Sequence, residues 1–212
     1  MNLNSKDFYY NELTHKITDE VISGLDSGIN FEQLHFWWPY KKIKLMYDEE
    51  YLNLTYNIVR IKEEKWIDND IRGSTGPDYC GYPHVNLEFL YKAKKWIKNH
   101  NYKRCMISNV IAHELHHAAQ KINNINQYEH IEDIPRHMRE NPYVKYFLNP
   151  YEVEAYQVGF RAEASVAGCT ITNCIERYLI NYLKKDLLTK EEYNKICVNW
   201  LNSEVKLVEV KK

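Results

Sequence analysis

The chain has 212 residues, 44% of them hydrophobic and 27% charged, which is enough apolar material for one compact domain with a real core and too much for a disordered chain. Its 28 Lys and Arg stand against 29 Asp and Glu, a formal net charge of -1, so no global field draws it to nucleic acid or to an anionic membrane. Five cysteines, an odd number with no C-x-x-C pair, fit neither a disulfide framework nor a thiolate zinc site and are expected as reduced, mostly buried thiols.

The elements follow in chain order. The N-terminus lacks a basic region followed by an apolar stretch, and no apolar run reaches membrane-spanning length, so a soluble, unexported, cytoplasmic protein is expected. Phe31 to Pro39 is rich in aromatic residues, a composition more common in cores than on binding surfaces. Leu52 to Ile61 is rich in β-branched and aromatic residues and predicts a strand. Arg72 to Asp78 is a dense cluster of turn residues and predicts a loop. In the next segment Val85, Leu87 and Phe89 alternate with His84, Asn86 and Glu88, the period of a second strand. From about Met106 onward the period is helical, with helices expected at about 106–121 and 150–166 and a helical C-terminal part at about 172–203. Within the last part, Thr189 to Glu192 forms a capping box. Strands at about 50–90 and helices afterwards predict an α+β fold, a small and mainly antiparallel sheet with packed helices, spanning 1–212 as a single domain.

The informative stretch is Met106 to Gln120, which contains His113, Glu114, Leu115, His116 and His117, an H-E-x-x-H pattern. On a helix, positions i and i+4 share a face one turn apart, so two imidazoles there can bind one ion. Glu114 lies about 100° around the helix from His113, where a carboxylate reaches a water beside the ion without becoming a ligand. Ile107, Ile111, Leu115 and Ala118 form an apolar stripe turned away from the two histidines. The helix is therefore expected to be anchored by one face and to present His113 and His117 from the other, the bland alternative being a solvated polar face.

A catalytic zinc needs three protein ligands and one open position. The extended pattern with Gly at 120 and His at 123 is excluded, because Gln120 and Asn123 stand there. His130 and His137 lie in a polar connection, with His130 the better candidate of the two. The stronger candidates open a later helix, where Asn149 is the N-cap and Pro150 begins the first turn. Projected at 100° per residue, Glu152 sits mid-way on the embedded face between Val153, Phe160 and Ala164 on one side and Ala155, Gly159 and Ala162 on the other. Glu154 falls among Gln157, Arg161 and Ser165, where a solvated helix puts its polar residues. Glu152 is therefore the preferred third ligand, with Glu154 and His130 as alternatives. Its competing role is to close a capping box with Asn149. Glu163 shares the embedded face three turns on, where it is expected to orient a neighbour or pair with Lys or Arg.

H-E-x-x-H on one helix followed by E-x-E-A at the start of another resembles the zincin metallopeptidases of the gluzincin type and is similar to their minimal bacterial and phage forms. The likeness covers about residues 85–166, and its first motif is more specific than its second. It implies His113, His117 and Glu152 as ligands to Zn2+, Glu114 as the base in peptide-bond hydrolysis, a peptide or protein substrate, and the Val85 to Phe89 strand as an edge for an extended peptide. A donor to the oxyanion is expected among Tyr128, Tyr151, Tyr156, His116, His130 and His137. One position departs from the pattern: many relatives place Asp or Asn four residues after the ligand Glu to hold a zinc histidine, and here Tyr156 stands there. Either the support of that histidine differs or the ligand is another acid. Two rival functions are a non-catalytic zinc-binding structural or interaction protein, which Glu114 opposes, and a DNA-associated protease with His130 as third ligand, which the near-neutral charge opposes.

Overall fold

The computed structural model describes residues 14–19, 21–23, 41–44, 51–59, 71–77, 83–90, 100–123 and 141–202. Four strands lie in the first half of the chain: β1 (Lys41–Lys44), β2 (Tyr51–Val59), β3 (Ile71–Pro77) and β4 (Pro83–Leu90). Five helices follow: α1 (His100–Asn123), α2 (Pro142–Phe147), α3 (Pro150–Ala167), α4 (Ile171–Lys184) and α5 (Lys190–Asn202). A further helical stretch occupies residues 14–19 and 21–23. The fold is α+β; the strands and the five later helices are segregated along the chain as expected, while the helical stretch before β1 was not expected. The aromatic segment Phe31 to Pro39 lies outside the described residues, as do Tyr128, His130 and His137. No helix among the described residues is long and apolar enough to cross a membrane.

The sheet order is β1-β2-β4-β3. β1 pairs antiparallel with β2, β2 parallel with β4, and β4 antiparallel with β3, so the sheet is mixed with two antiparallel ladders out of three. In β4, Val85 and Leu87 are buried on one face while Asn86 between them is partly exposed, the alternation expected of a half-buried strand.

Two expectations fail here. The turn-rich cluster at Arg72 to Asp78 is not a loop over its described part, since Ile71–Pro77 forms β3 in continuous register with β4; Asp78 lies outside the described residues. The Val85 to Phe89 strand is not an edge, because β4 is paired on both sides and β3 occupies the end of the sheet among the described residues. Intrinsic strand preference is weak against tertiary context, and here the context asks for small residues. α1 packs against both β3 and β4, and a Cβ at Gly73 would overlap Cγ, Cδ and Oε1 of Glu114. A turn-forming glycine is in this case the residue that lets the strand lie against the helix.

A paired substitution tests that reading. Gly73→Ala is expected to cost about 1–3 kcal/mol of unfolding free energy, the usual penalty for forcing atoms into a filled contact. Gly76→Ala, where a Cβ meets nothing within 4 Å, should be close to neutral. Equal urea midpoints for the two variants would count against the close approach.

α1 is sunk in the molecule on more than one side. Ile107, Ile111, Leu115 and Ala118 are 1–3% exposed, as the apolar stripe requires, but His113, Glu114 and His116 are buried as well. Its most extensive partner is α3, whose Gly159 admits the Asn109 side chain: a Cβ there would lie 2.6 Å from Asn109 Oδ1. Residues 14–23 add a further contact, with Ile17 and Val21 buried and Thr18 Oγ1 3.2 Å from Ser108 Oγ.

The C-terminal helices form their own core around Phe147, Tyr156, Phe160, Ile175, Leu179, Ile196 and Trp200. Trp200 Nε1 donates to Phe147 O at 2.7 Å, and Gln157 Nε2 donates to Trp200 O at 2.6 Å, tying α5 to α2 and α3. Gln157 is thus buried, not solvated as its helical projection suggested. The expected capping box is present: Thr189 N donates to Glu192 Oε2 at 2.8 Å and Glu192 N to Thr189 Oγ1 at 3.2 Å. Gly168 closes α3 in the left-handed conformation, φ 64°. Cys105, Cys169, Cys174 and Cys197 are free thiols.

Candidate metal centre

His113 and His117 sit one turn apart on α1, and their Nε2 atoms are 3.0 Å from each other. Glu152 comes from the first turn of α3, with Oε2 3.5 Å from each of those nitrogens. The start of α3 explains why this acid is placed there. Asn149 caps the helix by accepting from Tyr151 N at 3.0 Å, and Pro150 presets the first turn. The capping-box role for Glu152 is not realised, since Asn149 N donates to Tyr146 O at 3.1 Å.

Three tests show that the triad can hold a metal ion. Its ligand atoms lie within 4.8 Å of one another. Four ligands about 2.0–2.1 Å from a tetrahedral ion are separated from one another by about 3.3–3.4 Å, close to the 3.0, 3.5 and 3.5 Å found here. Finally, Glu152 Oε2 is buried and accepts no hydrogen bond of normal geometry. Such an oxygen is costly unless a proton or a cation serves it.

Without an ion, the cluster is held together by charge. Burial is the largest influence on Glu152 and pushes it up, yet His113 and His117 together hold the carboxyl well below its usual 4.5. Burial likewise pushes His117 down, but the Glu152 carboxylate against its ring, the charge of Glu114, and the bond to Gln120 lift it above 6.5. Glu152 therefore stays ionised, and His117 is inclined to carry the proton that a metal would displace.

Glu114 is 5% exposed and lies beside the triad without belonging to it. Thr75 of β3 holds it: the hydroxyl is 2.6 Å from Glu114 Oε2 and 3.0 Å from Glu114 O. His113 and Glu114 both line a cavity of about 470 Å3, whose other walls include Gly73, Val110, Tyr143, Tyr146 and Tyr182. Tyr146 is 45% exposed as a residue, and it lines the cavity beside His113 and Glu114. Loss of water around its phenol, and next the Glu152 carboxylate beside it, keep the group protonated far above its usual 10.

The remaining candidates resolve as follows. Glu154 is not in the triad; its Oε2 is 3.4 Å from His116 Nε2 and accepts from Gln120 Nε2 at 3.0 Å. Tyr156 packs its ring edge-on to His113, centroids 4.6 Å apart, with its hydroxyl 2.9 Å from that of Tyr178. The position that carries Asp or Asn in the resembled pattern therefore supports the histidine by contact. Glu163, 1% exposed, pairs with Arg177 and accepts from Asn109 Nδ2 at 2.5 Å, the cationic partner expected for it.

Sequence reasoning missed Thr75, Tyr146 and Gln120. Gln120 had a signal, since residues three apart on a helix are neighbours and His117 precedes it by three. Thr75 and Tyr146 had none, being brought in by a strand and by a separate short helix. No protein-family model, no curated protein and no solved structure matches the chain.

Proposed function

We propose that the protein is a zinc-dependent peptidase of the zincin type, with His113, His117 and Glu152 as ligands and Glu114 as general base. One observation carries the reading: two imidazole nitrogens and a carboxylate oxygen converge at tetrahedral spacing while a second buried carboxylate stands beside them, outside the ligand set. A purely structural site would close its fourth position with protein and has no use for such a base. Bound zinc supplies a Lewis acid that acidifies water and polarises a carbonyl.

The chain's own groups do the rest. Glu114 takes the proton of the attacking water and passes it to the leaving amine. Thr75 fixes the carboxylate by its hydroxyl, so the base is oriented by the strand that ends the sheet. Tyr146, protonated throughout the working pH range, donates a hydrogen bond where negative charge develops on the substrate oxygen. Among the described residues β3 is paired only with β4, and an extended peptide added along β3 runs past Glu114.

The test is elemental analysis with a peptidase assay. Purified protein should contain about one zinc per chain, the content of a mononuclear site. It should cleave an unstructured protein such as casein, lose that activity to a chelator and regain it with zinc. Absence of stoichiometric metal would overturn the reading, and stoichiometric zinc without turnover would leave the non-catalytic zinc-binding role.

A further inference from the structure

Gln120 stands at the junction of the two helices that carry the triad, and it is 1% exposed. Its Oε1 is 2.8 Å from His117 Nδ1. Its Nε2 is 3.1 Å from Tyr151 O and 3.0 Å from Glu154 Oε2. Tyr151 precedes Glu152 in the first turn of α3, and Glu154 follows it two residues on.

The chemistry of these partners leaves one arrangement. A backbone carbonyl only accepts, so the side of the amide facing Tyr151 O must be the NH2 group. The side facing His117 is then the amide oxygen, which also only accepts, and His117 Nδ1 must carry a hydrogen. That leaves Nε2 as the nitrogen with a lone pair to offer, and Nε2 is the atom turned to His113 and Glu152. The same amide therefore selects the ligating tautomer of His117 and clamps α1 to the turn that presents Glu152.

We infer that Gln120, braced by Glu154, is the positioning residue of the metal centre. It supplies the support that an Asp or Asn four residues after Glu152 would give, a position where Tyr156 makes only ring contact. The inference rests on the proposed metal site but is separable from it by experiment.

Gln120→Leu keeps the volume and removes both ends of the clamp. Its zinc affinity, measured by competition with a chromophoric chelator, should fall by about 10–100-fold. The visible absorption of the cobalt-substituted protein should shift with it. In metal-free protein, at a pH high enough to leave His117 neutral, two-bond nitrogen–proton correlation spectra should show His117 with hydrogen on Nδ1 in the wild type and a mixture of tautomers in Gln120→Leu. Glu154→Ala leaves Gln120 in place without its brace and should give a smaller loss of affinity in the same direction.

Wild-type affinity and an unchanged His117 tautomer in a folded Gln120→Leu protein would overturn the inference. Should that variant fail to fold, unchanged zinc affinity in Glu154→Ala would do the same. A wild-type protein that binds no zinc would sink the metal reading instead, and the tautomer measurement would still judge Gln120.

Discussion

Glu114→Gln is expected to retain zinc at the wild-type level and to lose roughly 10²–10⁴-fold in kcat/KM for peptide hydrolysis, the usual contribution of a positioned general base. The substitution is nearly isosteric at a site only 5% exposed, and the amide oxygen can still accept from Thr75 Oγ1. The triad is untouched because Glu114 supplies none of its atoms. What disappears is a group able to take a proton from water. The check is a fluorogenic peptide assay beside metal analysis of the same preparation. Full activity would refute the assigned role, and loss of zinc would show that Glu114 builds the site instead of using it.

The second large effect is a pH-dependent loss of stability in Glu152→Gln. In chelator-treated wild type, Glu152 is held below 4.5, so its contribution is present above that pH and fades as pH falls through the depressed value. His117 is raised above 6.5, so its contribution is complete below that pH and is lost as pH rises through the raised value. Both shifts report one interaction, and it is counted once. The metal-free protein should therefore be most stable between about pH 4.5 and 6.5.

Glu152→Gln removes the charge that creates this window. At about pH 5.5 it should cost about 1–3 kcal/mol, the scale of a lost charge-assisted bond in a buried site, and its profile should be flatter across the window. Zinc competes with the proton on His117, so loading wild type should move the optimum to higher pH. The variant should lose more than the roughly 10–100-fold in zinc affinity that an outer hydrogen bond is worth. Thermal melts from pH 4 to 9, with chelator and with zinc, decide it: matching profiles for the two proteins without metal would contradict the coupling.

His113 and His117 share one helix face because helical period alone puts i and i+4 there, so a histidine pair able to hold an ion, with Glu114 beside it, was legible in the residues. The preference for Glu152 over Glu154 was legible for the same reason, the angle of each around α3. The projection was less reliable for the opposite face, where Gln157 and Glu154 find partners on α5 and α1 that no local pattern announces. The Thr189 to Glu192 cap likewise follows from local rules, since it involves neighbours within one turn.

β3 marks the other limit. Arg72 to Pro77 carries turn residues by composition, and it is a strand because β4 pairs with it and α1 leaves space for nothing larger than hydrogen at position 73. With it moved the edge of the sheet, from β4 to β3, and with the edge came Thr75 as the holder of Glu114. Tyr146 and the clamp of Gln120 on Glu154 arose in the same way, from docking α2 on α3 and α3 on α1. The sequence by itself determined which helix turns present His113, Glu114, His117 and Glu152, because those relations depend on angles within one helix. Only the tertiary structure decided what surrounds them, because pairing and burial between segments far apart in the chain are set by mutual fit, which no local propensity encodes.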